Sequence, residues 1–323
     1  MATACGDDGS EDTSSTSSTT TAAAASPGEG DTFPVTFEQM TGTMTVEEKP
    51  VRVVTLGYTD ADIANALGAE IVGSVASPFG SDGVNPPWAV EPLPADVANL
   101  DVQAPNLEAI AAADPDIILA MGAYPSVIEL YDSLSEIAPV LTPTTGPLLD
   151  SAEDVTTTIG RALGESEAAA ALLAEADRAI DEFKAANPGL EGKTAVFAPR
   201  EGTRTAVFID ESAASVTLLR RLGLTTPDEL VSLPGEQTFG ATFISDEELS
   251  LLDSADIAIV GLYTEDARSA FLAMPLVAGL SVTTDERLVP IDISLGAALQ
   301  TPNPVSIQYL LSELGPQLAA AAG

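Results

Sequence analysis

A strand–helix–strand grammar on both sides of one long amphipathic helix predicts an α/β fold of two Rossmann-like lobes joined by a rigid rod. The first observation is VRVVTLG, TDADIANALGA and IVGSVA, running from 51 to 76. A β-branched run, a helical segment and a second apolar run suit two parallel strands and their crossover helix. Thr59 is placed to cap that helix with Asp62 at its third position, and Gly68 to end it. The second observation is residues 166–187, where Leu172, Leu173, Ala176, Ile180 and Phe183 make one apolar stripe at helical spacing. Asn187-Pro188-Gly189 stops this helix. Third, KTAVFA, TAVFID, ADIAIVG and RLVPID resume the strand pattern, with helices expected near 213–222 and from about Pro304.

Residues 6–31 are mostly Ser, Thr, Ala, Asp and Gly, with no aromatic side chain and no periodicity. Such a stretch cannot offset the entropy of ordering, so 1–31 is expected to be a flexible tether. Order is expected from Phe33, where FPVTFEQMTGTMTVEEKP alternates about Thr41-Gly42 as a hairpin does. The lobes then span 32–164 and 189–323, with the connecting helix over 165–188. In the first lobe a Pro/Gly-rich stretch from Ser77 to Pro105 holds Phe79 and the only tryptophan, Trp88. Loops of that length are usually functional. Beyond it LEAIAAA reads as helix, DIILAMG as strand, SVIELYDSLSEI as helix and APVLTP as strand.

Composition excludes more than it assigns. There is no histidine and one cysteine, so Ser-His-Asp and Cys-His catalysis, ordinary zinc sites and an internal disulfide are all ruled out. The chain has 12 basic residues against 49 acidic ones, and six of those acids lie in 1–31, leaving the body at −31. That surface repels nucleic acid. A carboxylate-based hydrolase or metal enzyme would have to use Asp60, Asp62 or Asp256, which are better read as helix-cap and strand-start residues.

Two segments echo one another, NLEAIAAADPDIILAMGAY and SDEELSLLDSADIAIVGLY. Each pairs an early glutamate (Glu108, Glu247) with an Asp opening an apolar strand and then Gly-x-Tyr (Tyr124, Tyr263), with sixteen residues from Glu to Tyr. Tyr58, Tyr124 and Tyr263 all follow the carboxyl ends of expected strands, where α/β sheets place ligand crevices. Arg200 and Arg204 sit in PREGTR between two strands. Two readings stand for them: solvated hairpin arginines, or forks for an anionic or aromatic ligand. Trp88 is core or ligand contact. Glu108 and Glu247 are acids favoured by the helix dipole, or a functional pair across the lobes.

From Phe33 onward the chain resembles the iron-siderophore substrate-binding lipoproteins of bacterial ABC importers. The resemblance lies in PVTFEQMTGTMTVEEKPVRVVTLGYTDADIANALG, NLEAIAAADPDIILA, LYDSLSEIAPVL, the connecting helix, FISDEELSLLDSADIAIV and NPVSIQYLLSELGPQLAAA. The Ala-rich, Lys-poor composition resembles actinobacterial members. The family implies two lobes on a stiff helix (class III among periplasmic binding proteins), ligand in the cleft and modest closure. It implies that one glutamate per lobe docks on the permease dimer, matching Glu108 and Glu247, with Glu248 as neighbour to the second. Tyr58, Trp88, Tyr124, Arg200, Arg204 and Tyr263 are the cleft contacts expected by position.

Ala-Thr-Ala-Cys-Gly resembles the end of a lipoprotein signal, with Cys5 as the lipidated residue and the tether as a stand-off from the membrane. The charged and apolar parts of such a signal do not precede it, so a shortened form of an exported precursor is expected. The expected function is capture of a ferric siderophore, hydroxamate or mixed-ligand in preference to tricatecholate, by a lipid-anchored, extracytoplasmic, monomeric protein that is not an enzyme. Iron is expected to be held only by the siderophore, with no cofactor. A corrinoid, haem or other small molecule in the same fold, or an adhesive lipoprotein, are the alternatives.

Overall fold

The computed structural model describes residues 31–80, 82–233 and 240–323. Cys5 and the rest of the expected tether lie outside these, except Asp31, which belongs to the folded body. Its carboxylate accepts the Ser166 backbone N–H at 2.9 Å, an acid at the positive end of the connecting helix.

The hairpin comes first, β1 (Val35–Gln39) against β2 (Gly42–Val46). Gln39 pairs with Gly42, so the turn is Met40-Thr41, one residue earlier than expected. Gly42 opens β2 at φ +117°, a conformation that glycine adopts freely. Phe37, Met44 and Val46 bury the hairpin on the first lobe.

Among the described residues that lobe is a five-stranded parallel sheet in the order β5-β4-β3-β6-β7. The strands are β3 (Arg52–Thr55), β4 (Glu70–Val75), β5 (Ala98–Leu100), β6 (Ile117–Leu119) and β7 (Val140–Leu141). Alternate side chains feed opposite faces, as the pleat requires. Val53, Ile117 and Leu119 enter one core and Val54, Ile118 and Val140 the other. Full burial of such side chains is worth about 1.5–3 kcal/mol each. Strand β5 lies inside the stretch expected to be loop throughout, since three residues between Pro- and Asp-rich flanks give no readable period. The helix expected over SVIELYDSLSEI is two short ones, Pro125–Ile128 and Tyr131–Ser135.

The second lobe orders its strands β11-β10-β8-β12-β13, with β9 beside β10. They are β8 (Ala195–Phe197), β9 (Arg200–Glu201), β10 (Arg204–Phe208), β11 (Ala241–Ser245), β12 (Ile257–Gly261) and β13 (Leu288–Ile291). Strands β8, β12 and β13 are parallel, while β10 runs antiparallel to β8. The PREGTR connection is therefore a tight hairpin, Arg200 opposite Thr205. Strand β11 and the helix Ile293–Gln300 were not expected, and the DEELSLLDS segment is a 3-10 helix, Asp246–Ser254.

The connecting helix runs from Ser166 to Ala186, 21 residues, or about 32 Å. It buries its two ends in different lobes: Ala169 in the first core, Ala176 and Ile180 in the second. A Cβ on Gly160 would lie 2.4 Å from that of Ala169, so only glycine permits this approach of helix Ala152–Leu163.

A second link between the lobes is polar and buried. Asp62, in the helix Tyr58–Ala66, accepts Trp88 Nε1–H at 2.7 Å and Asn303 Nδ2–H at 2.9 Å on the same oxygen. Asn303 lies across the boundary, its own Oδ1 taken by the backbone N–H groups of Val305 and Ser306. The Trp88 ring lies 5.4 Å from that of Tyr309, in the helix Ile307–Glu313. This corrects the sequence reading of the region. Gly57, not Thr59, occupies the N-cap position, without a side-chain cap. Asp60 and Asp62 are buried rather than capping: two positions apart on a helix they point to different sides, Asp60 to the Gly122 N–H of its own lobe and Asp62 to Trp88 and Asn303.

Burial pushes both carboxyls up to about 7 against their hydrogen-bond donors. An unfolded aspartate titrates near ~3.9, so between about pH 4 and 7 the folded chain holds protons the unfolded chain has released. Their contribution to stability falls as pH rises through that window. In Asp62→Asn the amide oxygen can accept both donors with no charge to bury. In urea titrations the variant is expected to gain stability over the wild type from about pH 4 to about 7, by on the order of 1 kcal/mol or more. A difference flat with pH would show that Asp62 ionises normally.

Candidate functional site

The first lobe's contribution is built where β3 and β6 end. A Cβ on Gly57 would lie 2.4 Å from the Gly122 carbonyl carbon, and one on Gly122 2.1 Å from Thr59 Oγ1. The two chain segments thus touch through backbone. Asp60 Oδ1 fastens the contact, accepting Gly122 N–H at 2.8 Å. Tyr58 is the first residue of the helix that starts there, and Tyr124 occupies the N-cap position of the short helix Pro125–Ile128. The Tyr58 ring meets Phe79 edge-on at 5.0 Å. Burial raises its phenol, with the fields of Tyr124 and Asp101 adding to the shift. Tyr58 and Phe79 form one aromatic pair, and Tyr124 lies near enough for its field to reach the Tyr58 phenol.

In the second lobe Tyr263 stands two residues beyond β12. Its ring lies between two glycines: a Cβ on Gly261 would come within 2.8 Å of it, and one on Gly296 within 2.5 Å. Burial drives the phenol well above its ordinary value, and Glu201 adds to this. Gly296 belongs to the helix Ile293–Gln300, whose Ser294 hydroxyl donates to the Phe79 carbonyl of the other lobe. One helix therefore seats Tyr263 and touches the loop that packs on Tyr58.

The arginines of the β9–β10 hairpin differ from each other. The Arg200 side chain is 12% exposed and lies 2.8 Å from Asp246, with Phe271 5.2 Å beneath it. Arg204 is exposed and stacks over Phe243 at 4.2 Å. Trp88 joins neither group directly; its indole N–H is committed to Asp62, and its ring packs on the second lobe's core. Its loop is braced by Asn85, whose side chain accepts Leu93 N–H at 2.7 Å and donates to Leu93 O at 3.1 Å.

The two glutamates occupy matching places. Glu108 is the second residue of helix Leu107–Ala112 after its N-cap Asn106, and Glu247 the second of Asp246–Ser254 after Ser245. Both are exposed. Of the three acids at the second site, Asp246 faces Arg200 and Glu248 completes a capping box with Ser245 at 2.8–2.9 Å. The strand-opening aspartates match too: Asp116 accepts N–H groups of Val51 and Arg52 entering β3, and Asp256 that of Thr194 entering β8. Missed at the sequence level were Phe79 as a partner of Tyr58, and Ser294, Gly296 and Asn303. None has a local pattern that distinguishes it from a loop, helix or cap residue.

Comparison with known proteins follows this geometry. The family model described as periplasmic binding protein matches residues 53–282. A periplasmic solute binding protein from Mycobacterium smegmatis has a similar structure, 28% identical, TM-score 0.76, over 90% of this chain and 99% of that one. PiaA of Streptococcus pneumoniae, solved in complex with ferrichrome, is 26% identical, TM-score 0.73, over 89% and 98%. SirA of Staphylococcus aureus, complexed with staphyloferrin B, is 23% identical, TM-score 0.68, over 88% and 98%, a likeness of fold. No curated protein matches by sequence. With the family model covering well over half its length, the chain belongs to the periplasmic binding protein family.

Proposed function

We propose that this protein captures a ferric siderophore between its lobes and delivers it to the permease of an ABC importer. The observation that carries the reading is the Tyr58–Phe79 pair of one lobe, joined through the Phe79–Ser294 contact to the helix of the other lobe that seats Tyr263. Rigid aromatic walls give contact area at low entropic cost, which suits a bulky chelate. Support comes also from PiaA, a substrate-binding protein of an iron uptake ABC transporter, solved with ferrichrome. Tyr58, Tyr124, Tyr263, Arg204 and Arg200 are the proposed ligand residues. Trp88 acts at their edge, by holding the loop that carries Phe79. Iron is held by the siderophore alone, and the protein performs no catalysis. It works outside the cytoplasm as a monomer, tethered through a lipid on Cys5. Glu108 and Glu247 dock one lobe each on the permease dimer.

Trp88, at the lobe boundary, reports ligand entry by fluorescence. Titration with ferrichrome, haem and cobalamin, checked by calorimetry, is expected to give saturable binding of ferrichrome with Kd below about 1 µM. Tyr263→Ala is expected to weaken it by about tenfold or more. Binding of haem or cobalamin alone would move the cargo; binding of none would sink the reading.

Docking is tested apart from capture. Glu108→Ala with Glu247→Ala is expected to leave ferrichrome affinity within about twofold and to abolish siderophore-dependent iron uptake in cells. Glu248→Ala is expected to lower the urea midpoint of unfolding through the lost capping box while sparing uptake. Uptake that survives the double substitution would remove these glutamates from the interface.

A further inference from the structure

We infer that the cleft selects ferric complexes with no net charge and discriminates against polyanionic ones, because Asp246 neutralises the buried arginine of the β9–β10 hairpin. The inference rests on the siderophore-capture reading and narrows its cargo. All twelve basic residues lie within the described residues, so the cations can be placed one by one. Arg52, Lys193 and Arg287 stand at the amino ends of parallel strands, away from the edge where the tyrosines gather. Lys49, Arg178, Lys184, Arg220 and Arg221 each lie within 4 Å of an acid on other surfaces. Arg161 lies over Phe37 of the hairpin.

Three cations remain at the carboxyl edge of the second lobe: Arg200, Arg204 and Arg268. Arg200 is nearly enclosed beside Asp246. At 2.8 Å, with the guanidinium nearly enclosed and the carboxylate partly exposed, the two charges largely cancel and the pair presents little net field to a ligand. Arg268 shares its helix with Glu265 and Asp266 in the first turn. Arg204 keeps an exposed fork, enough for one bidentate contact to ligand oxygens. Burial raises the phenols of Tyr58, Tyr263 and Tyr309 first, and nearby acids add to it: Asp101 after Tyr124 at Tyr58, Glu201 at Tyr263, and Asp292 and Glu313 at Tyr309. A polyanion would find the exposed fork of Arg204 but no cluster of cations, on a body at −31. A ferric trihydroxamate, in which three monoanionic groups balance Fe(III), meets no such penalty.

The test compares ferrichrome, a neutral trihydroxamate, with ferric enterobactin, a tricatecholate trianion, by calorimetry on the full chain. The wild type is expected to favour ferrichrome by about 100-fold or more, with ferrichrome affinity changing less than about twofold between roughly 0.05 and 0.5 M NaCl. Asp246→Asn frees the Arg200 charge and is expected to shrink the preference by about tenfold or more. Asp177→Asn adds the same unit of charge on the connecting helix, far from the hairpin, and is expected to change it by less than about twofold. Comparable or tighter binding of the trianion by the wild type would overturn the inference and leave the capture reading in place. Equal effects of the two substitutions would assign the preference to overall charge and overturn the role of Asp246. Should Asp246→Asn fail to fold, a ferrichrome affinity that falls steeply with salt would overturn it instead. If neither complex binds, the capture reading itself fails.

Discussion

The architecture turns on a carboxylate oxygen that accepts two donors. Asp62 takes the Trp88 indole N–H from the long loop and the Asn303 amide from the opposite lobe. Without it, two buried donors would be left unpaired, which costs about 1–3 kcal/mol each. With it, the segment around Trp88 is fixed to the second lobe, and Phe79 separately reaches Ser294. The connecting helix fixes the spacing of the lobes; this bond and the Trp88–Tyr309 contact limit their rotation about it. Two attachments at separate points leave little freedom for a large hinge motion.

The placement of the tyrosines depends on backbone contacts that only glycine allows. Gly57 and Gly122 bring the ends of β3 and β6 together, which directs Tyr58 and Tyr124 to the same edge. Gly261 and Gly296 do the corresponding work for Tyr263. Both lobes thus present a tyrosine from a rigid strand end rather than from a free loop, so little side-chain entropy remains to be lost on binding. Asp60 belongs to the same arrangement. It holds Gly122 with one oxygen and leaves the other buried without a partner among the described residues, and the ordinary ionised form gives way to a proton near neutral pH.

Much of this could be read from the chain, and the rest had a physical reason to stay hidden. Strands of β-branched residues, the stripe on the connecting helix and its Asn-Pro-Gly stop are local signals, and they specify the two-lobe α/β class. The echo was legible because both lobes use one local arrangement at this point: a cap, an exposed glutamate, and an aspartate that ties its strand to the neighbour's start. Strand β5 was missed because three residues carry no period. Asp62 was misread because an aspartate near a helix start looks like a cap whether it turns outward or in. Its true partners are 26 and 241 residues away. Arg200 and Arg204 looked alike in PREGTR, yet Asp246, brought alongside by β11, separates a neutralised guanidinium from a free one.

A body at −31 sets opposite terms for the two proposed partners. Screening over ~8 Å confines the field to the surface, so it acts at contact and on the approach of large faces rather than on distant solutes. A permease face carrying cations would be drawn to the exposed glutamates at matching helix starts, one per lobe, and the surrounding acids would speed that encounter. An anionic cargo would meet the same field with the wrong sign and find no compensating cluster in the cleft. The acidic surface can therefore serve docking only if the cargo does not itself need positive charge. In the proposed capture, the ion pair of Arg200 with Asp246 answers that conflict by cancelling one charge at the carboxyl edge of the second lobe.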